Sequence, residues 1–510
     1  MSSTIRETLA ALEPPIVVEH REQLIYLLRE AAELEHTILC EYLFAAFTMK
    51  QRLEEGLTPA QLEAVDRWRT TILTVAKQEM LHLTLVQNLL TAIGAAPHLS
   101  RPNLPTAAKH FPAGVQIALV PFGEPALRHF LFLERPEGVA LDDRDAQVAV
   151  ERARPFMADD DIVPAPQGFS TVGHLYRAID IGFAWLTGTL GADRLFIGPP
   201  PAQTSPDVMH WDGLVAVTDL DSAHRAIDVI VEQGEGATGD WREAHFGKFL
   251  GIYDEYLALR AADPAFEPAR PVLPGHVRPH RYGDAVPLID EPRTKRVADL
   301  FNVVNEIVLL ALTRFFAHTD ETPAQLAKLE NVGVGLMFAA IKPLGQLLTT
   351  LPFGPSAPDR TAGPTFELFY IGGYLLPHRQ AAWTLIAERL RQAAGLARRL
   401  EGEGLALKGV IAGLEKYATQ LEASSYLNGS RRSRMPAAAY RPPRPTARSG
   451  GSRGQRRRAA ARRRRRPCAR RRTSRDRSGG RRHAGHVRAA AGTARTKRGW
   501  RSRPPAPIRW

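Results

Sequence analysis

Two acidic residues stand where a buried helix face would ordinarily carry only apolar side chains. In AAELEHTILCEYLFAAF, residues 31–47, the chain turns about 100° per residue if helical. That rotation gathers Leu24, Leu28, Ala31, Ile38, Leu39, Tyr42, Ala46 and Met49 within roughly 60° of one direction, with Glu35 near the centre of the stripe. Tyr42 lies almost directly beneath Glu35. In WRTTILTVAKQEMLHLTLVQNLLTAIG, residues 68–94, the apolar positions Trp68, Ile72, Val75, Leu83, Val86, Leu90 and Ile93 surround Glu79 in the same way. His82 follows one turn later, about 60° to the side. Glu33 and His36 share the Glu-x-x-His spacing but Glu33 points the opposite way, and Glu41 sits at the flank.

An ionised carboxylate in apolar packing is costly, so it is protonated, paired or bound to a cation. A Glu-x-x-His pair on one bundle helix, with a lone Glu from its neighbour, is the unit from which carboxylate-bridged two-metal sites are built. Carboxylate and imidazole donors suit iron, manganese or zinc, with iron and manganese favoured over softer metals. Two plainer readings stay open: a chance Glu-x-x-His, and a buried Glu35 bonded to Tyr42.

Long helical patterns over 22–52, 60–93, 171–188 and 220–233 would position these residues. The second and third are separated by a proline-rich connection, 94–170, holding one helix-like piece, ALRHFLFLE. Two helices, a long crossover and two more helices make a mainly α, ferritin-like four-helix bundle. Its second half carries less chemistry. TVGHLYRAIDIGFAWL has the stripe Val172, Tyr176, Ile179, Phe183 and Leu186 with no carboxylate in it; His174 faces away and Asp180 lies at the edge. The fourth pattern offers Glu232, Glu235 and His245, but the insertion GEGATG interrupts it, and Glu232 points away from the Ile227/Ile230 stripe. A symmetric two-metal site and a mononuclear or asymmetric one using Glu35, Glu79, His82 and His245 are both compatible with this spacing.

The domain reading is a metal-binding bundle over 20–262, a proline-rich linker over 263–292, a helical C-terminal domain over 293–428 and an arginine-rich tail over 429–510. Helical stretches at 297–317, 323–351 and 380–402 build the second domain, and strand signal is confined to short runs such as VQIALV.

Charge divides the chain as sharply as pattern does. Of the formal net charge of +13, residues 431–510 supply +28 (29 Lys/Arg against Asp476), leaving 13 − 28 = −15 for residues 1–430. The tail lacks acids and large aliphatics and is expected to be disordered. Arginine runs of this kind neutralise phosphates, so any nucleic-acid binding is expected through the tail alone. The same composition arises when a GC-rich gene is read out of frame, which the abrupt change after YLNGS (426–430) favours. No window approaches the ~20 apolar residues of a membrane span, and the N-terminus shows no signal-peptide pattern. Cys40 is the single cysteine before the tail, which fits a reducing cytoplasm.

AAELEHTILCEYLFAAF, AKQEMLHLTLVQNLLTAIGAAP, LERPEG, TVGHLYRAI and IVEQGEG…HFGKFL resemble, in order across about residues 20–260, the ferritin-like domain of the iminophenylpyruvate dimer synthase family, which includes chromopyrrolate-type synthases. FNVVNEIVLLAL, IKPLGQLLTTLPFG, TAGPTFELFY and LPHRQAAW resemble the helical region that often follows that domain. The resemblance implies oxidative secondary metabolism on a small α-imino or α-keto acid, including carbon–carbon coupling of two imines. It implies Glu35, Glu79 and His82 as metal ligands, with Glu232, Glu235 and His245 matching the second-half motif, and iron, mono- or dinuclear, or manganese as the cofactor. Haem is compatible with the resemblance, although no CxxCH motif occurs. Tyr42 would act beside the metal as a hydrogen-bond donor or electron-transfer group. A homo-oligomer is allowed. The rival expectations are a ferroxidase without organic substrate and a non-catalytic scaffold of a biosynthetic cluster.

Overall fold

A computed structural model describes residues 16–106, 116–137, 169, 171–236, 241–279, 286–317, 320–369 and 375–425. The arginine-rich tail expected over 429–510 lies outside the described residues.

The first four long helices are α1 (Arg21–Thr48), α2 (Pro59–Ala92), α4 (Val172–Leu190) and α6 (Leu220–Gly234), with α3 (Glu124–Leu133) in the crossover and a single turn, α5 (Ala192–Leu195), after α4. Local chemistry sets their starts. Thr58 accepts from Gln61 N while Gln61 Oε1 accepts from Thr58 N at 2.9 Å, and Pro59 fills the first helical position of α2. Asp219 caps α6 through Ser222 N at 2.8 Å, and Thr171 caps α4 through His174 N at 3.1 Å. α1 packs on α2 and α4, and α6 on α2 and α4.

The fourth helical pattern is two helices. α6 stops at Gly234, and α7 (His245–Ala262) begins afresh and packs against α3 and α2. Because α7 is a separate helix, the phase of α6 does not carry over into it. His174, expected to face away from the interior, is 2% exposed, because α4 is covered from more than one side.

The second half comprises α8 (Pro292–Ala317), α9 (Pro323–Leu336), a π-helical turn (Met337–Ile341), α10 (Lys342–Leu348), a hairpin of β1 (Pro352–Gly354) with antiparallel β2 (Ala357–Thr361), α11 (Arg379–Gly402) and α12 (Lys408–Ser425). The hairpin falls outside the run expected to be extended. Within the described part of VQIALV, Ile117 O accepts from Thr106 N, and Ala118 N donates across to Glu41 Oε1 of α1 at 2.9 Å.

Two stretches, Pro292–Ala317 and Pro323–Leu348, are long and apolar enough to cross a membrane, with mean hydropathies of 1.6 and 1.3, which corrects the expectation that no window reaches that level. The first spends its apolar side chains on the protein's own core: 72% of its window is buried, and α8 touches α9, α10 and α11.

Of the stretch expected as a linker, 263–292, the described residues, 263–279 and 286–292, are packed structure. Phe266, Val272 and Val277 are at most 2% exposed. Arg270 N donates to Thr48 O, Leu273 N to Thr361 O and Thr361 N to Pro271 O. The Arg270 guanidinium also bonds Glu55 Oε1 at 2.6 Å and Thr349 Oγ1 at 2.9 Å. Proline here fixes an extended path across two surfaces that both need covering. The bundle and the later helices therefore share one core, and the described residues fall in one compact unit. Glycines mark the closest approaches: a Cβ on Gly345 would sit 2.6 Å from the Phe47 ring, and one on Gly363 2.5 Å from the Phe44 ring.

Candidate metal centre

Five buried side chains converge inside the bundle as two triads that share one carboxylate. Glu35, Glu79 and His82 form the first; Glu79, Glu134 and His245 form the second; within each, one donor atom per residue lies within 4.8 Å of the others. Long helices supply the first triad, Glu35 from α1 and the Glu79/His82 pair from one face of α2. The second comes from element ends: Glu134 caps α3, and His245 is the first residue of α7.

The two triads are arranged alike. His82 Nδ1 lies 3.1 Å from Glu79 Oε2 and 3.5 Å from Glu35 Oε2. His245 Nδ1 lies 2.8 Å from Glu79 Oε1 and 3.6 Å from Glu134 Oε2. The two oxygens of Glu79 thus face opposite imidazoles, and the rings stack with centroids 5.5 Å apart. A tyrosine holds each outer carboxylate: Tyr176 donates to Glu35 Oε1 at 2.5 Å, and Tyr42 donates to Glu134 Oε1. The partner of Glu35 is therefore Tyr176 and not Tyr42. Tyr42 is wedged between Phe130 and Phe249, with centroids 4.7 and 5.0 Å away, and that shell seals the second triad from water.

The electrostatics are those of a crowded buried site. Burial, and then the neighbouring Glu79, push the Glu35 carboxyl up to about 8. Burial acts the same way on Glu79, but the His82 and His245 imidazoles outweigh it and hold that carboxyl below its usual range. Burial works against protonated His82, yet Glu79 and Glu35 bring it up to about 10; His245 is raised by Glu79 and Glu134 against the same opposition. Burial, then the adjacent carboxylate, keeps both tyrosines well above 10, so each remains a neutral phenol and a hydrogen-bond donor.

The donor atoms fit a bound cation. Glu35 Oε2, Glu79 Oε1 and both ring nitrogens of His245 are buried without a hydrogen-bond partner; the 2.8 Å approach of His245 Nδ1 to Glu79 Oε1 is close but poorly aligned for a hydrogen bond. Orphaned polar atoms at this depth are rare in native proteins. Three carboxylates and two imidazoles around them are what a hard or borderline divalent ion binds. One ion could sit in either triad, or two could share Glu79.

The remaining residues singled out in the sequence lie elsewhere. Neither Glu232 nor Glu235 belongs to either triad. Glu235 accepts from Gly173 N at 2.6 Å and from Glu137 N at 3.2 Å, so it ties the start of α4 to the segment after α3; burial pushes its carboxyl up to about 7. Between those two acids, Gln233 reaches the site instead: its Oε1 lies 3.1 Å from His82 Nε2. That contact fixes the ring with Nε2 as donor and turns Nδ1 toward the carboxylates. Gln233 is in phase with the buried Ala226 and Ile230 of α6, seven and three residues before it, whereas Glu232 and Glu235 lie off that stripe. Glu134 escaped the periodicity reading because it ends a short helix in a proline-rich crossover. Its signal was there, since Leu127, Leu131 and Glu134 repeat at helical spacing and all three are buried.

A family model described as ferritin-like matches residues 28–254. A dichlorochromopyrrolate synthase from Lentzea aerocolonigenes is 28% identical over 417 residues, covering 75% of this chain and 39% of the relative. A 2-imino-3-(indol-3-yl)propanoate dimerase from Chromobacterium violaceum is 28% identical over 384 residues, covering 69% of this chain and 34% of the relative. The chain thus spans little more than a third of the length of these curated relatives. A solved ferritin-like protein from Caulobacter vibrioides aligns at 20% identity and a TM-score of 0.41, covering 69% of this chain and all of that one. With a matching family model laid over a bundle whose first two helices carry Glu and Glu-x-x-His inward, residues 28–254 form a ferritin-like domain.

Proposed function

We propose that this protein is a metal-dependent oxidative enzyme of secondary metabolism acting on an amino-acid-derived α-imino or α-keto acid, as the names of its relatives suggest. The observation that carries the reading is the pair of triads joined by Glu79, with buried donor atoms left unpartnered. Iron is the first choice of metal and manganese the second, from the carboxylate-rich donor set. When bound, such an ion supplies Lewis-acid polarisation and one-electron redox capacity.

The chain's own residues do the rest. Glu35, Glu79, His82, Glu134 and His245 would hold the metal. Tyr176 and Tyr42 orient the outer carboxylates, Gln233 orients His82, and Phe130 and Phe249 exclude water from the Glu134 side. Tyr42 serves as a positioning residue, since its hydroxyl is committed to Glu134. A reducing, cytoplasmic setting goes with the single free and buried Cys40 among the described residues.

Elemental analysis of the purified full chain, supplied with iron, tests the metal. Bound iron or manganese that Glu79→Ala abolishes supports the reading, and a folded protein that stays metal-free sinks it. Incubation with 2-imino-3-(indol-3-yl)propanoate generated in place, with mass spectrometry for a coupled product, tests the reaction class.

A further inference from the structure

The donor set is one carboxylate short. Bundles of this plan place a Glu on each of two helices and a Glu-x-x-His pair on each of the other two, giving four carboxylates and two imidazoles. Here Glu35, Glu79 and Glu134 are three, with His82 and His245 the imidazoles. The residue three before His245 is Arg242, whose guanidinium lies over the Trp241 ring. Glu235, the nearest acid in the motif, is occupied by two backbone N–H groups. Among the described residues no other acid joins either triad. Two divalent ions would therefore exceed the charge of their protein carboxylates by one, and the carboxylate absent from the plan is the one that would pair with His245.

That side also carries a cation with little to do. Lys248 stands on α7 one turn beyond His245 and is half-buried; among the described residues its one hydrogen-bond partner is Gln78 Oε1 at 3.4 Å. Gln78 is the neighbour of Glu79 in sequence, so the ammonium lies between α2 and α7 near the triad. Burial lowers its basicity, and Glu243 and then Glu134 act on it electrostatically in the opposite sense. A half-buried ammonium with one long contact is suited to a charge-assisted hydrogen bond with an incoming anion.

We infer that the missing ligand is exogenous: the carboxylate of the organic substrate binds on the His245 side of the metal centre and is held there by Lys248. The inference rests on the metal reading above and deepens it, because it assigns the anionic end of the substrate to a place and a residue. An uncharged analogue is then rejected.

The test uses the full chain loaded with cobalt(II), whose visible d–d bands report changes at the metal. Phenylpyruvate is titrated as an α-keto acid probe, with its methyl ester as the uncharged control. The acid is expected to shift the bands saturably and the ester to leave them unchanged. Lys248→Met should keep its cobalt content and weaken the acid about tenfold or more, and Lys248→Arg should recover part of that loss. Cobalt binding with equal responses to acid and ester, or with unchanged affinity in Lys248→Met, overturns the inference and leaves the metal reading standing. Failure of cobalt to bind overturns both.

Discussion

The two triads reach the same chemistry by different means. Glu35 and the Glu79/His82 pair project from the middles of α1 and α2, where neighbouring turns fix each Cα. Glu134 and His245 sit at the end of one element and the start of another, where a helix alone fixes little. The structure compensates with side-chain ties: Glu235 joins Gly173 N to Glu137 N, and Glu137 in turn takes Arg177 at 2.6 and 2.9 Å. Sites built on helix interiors hold their geometry through the backbone, whereas sites at element ends depend on the shell around them. The Glu134 triad is therefore the half expected to yield first to mutation or heat.

Removing the shared residue breaks the comparison altogether. Glu79→Ala takes one ligand from each triad, so metal content should fall to near zero by elemental analysis. It also strips both imidazoles of their common carboxylate, and the metal-free protein should lose about 3 kcal/mol or more in denaturant titration. Glu35→Ala and Glu134→Ala separate the halves. If two ions bind, each variant should retain about half the metal of the parent; complete loss in one and half retention in the other would show one triad to be the scaffold for its partner.

Acidity gives a second contrast, between the metal-free and metal-loaded protein. His82 is raised from 6.5 to about 10 in the fold, so its contribution is complete below pH 6.5 and is lost as pH rises through 10. Glu35 is raised from 4.5 to about 8; the unfolded chain releases that proton first, so stability falls further between pH 4.5 and 8. The metal-free protein should thus weaken steadily from about pH 5 to 10. Metal must displace the same protons, so affinity should rise over that range. Thermal midpoints of the two forms at pH 5, 7 and 9 should diverge with rising pH; parallel curves would remove these side chains from the metal site. The smallest effect belongs to the tyrosines. Tyr176→Phe and Tyr42→Phe each delete one buried hydrogen bond, at about 1 kcal/mol of stability and roughly tenfold in metal affinity. The Tyr42 variant should show the larger affinity loss, because Glu134 has fewer backbone constraints.

The same contrast governs how much of the site could be read from the sequence. Glu35, Glu79 and His82 stand in long uninterrupted helices, where a fixed rotation per residue carries the phase over many turns. Glu134 ends a short helix, where periodicity has little length over which to accumulate, and Gln233, though in phase with Ala226 and Ile230 on α6, is an uncharged amide that gives no metal-ligand signal. Tyr176 was visible as a stripe residue, but the reach of its hydroxyl to Glu35 depends on the spacing between α1 and α4, which no one helix encodes. Proline-rich sequence at 263–292 suggested a tether because local composition reports backbone stiffness and says nothing of what lies on either side.

That packed segment bears on inheritance. The ferritin-like match ends at residue 254, yet Arg270, Gly345 and Gly363 close over the end of α1 that carries Phe44 and Phe47. A gene fragment cut at the family boundary would leave those rings bare, and the recombinant product should be recovered largely as aggregate. Shuffling among relatives can preserve this centre only by moving the bundle together with the helices that follow it, so the heritable module extends well past the recognisable domain.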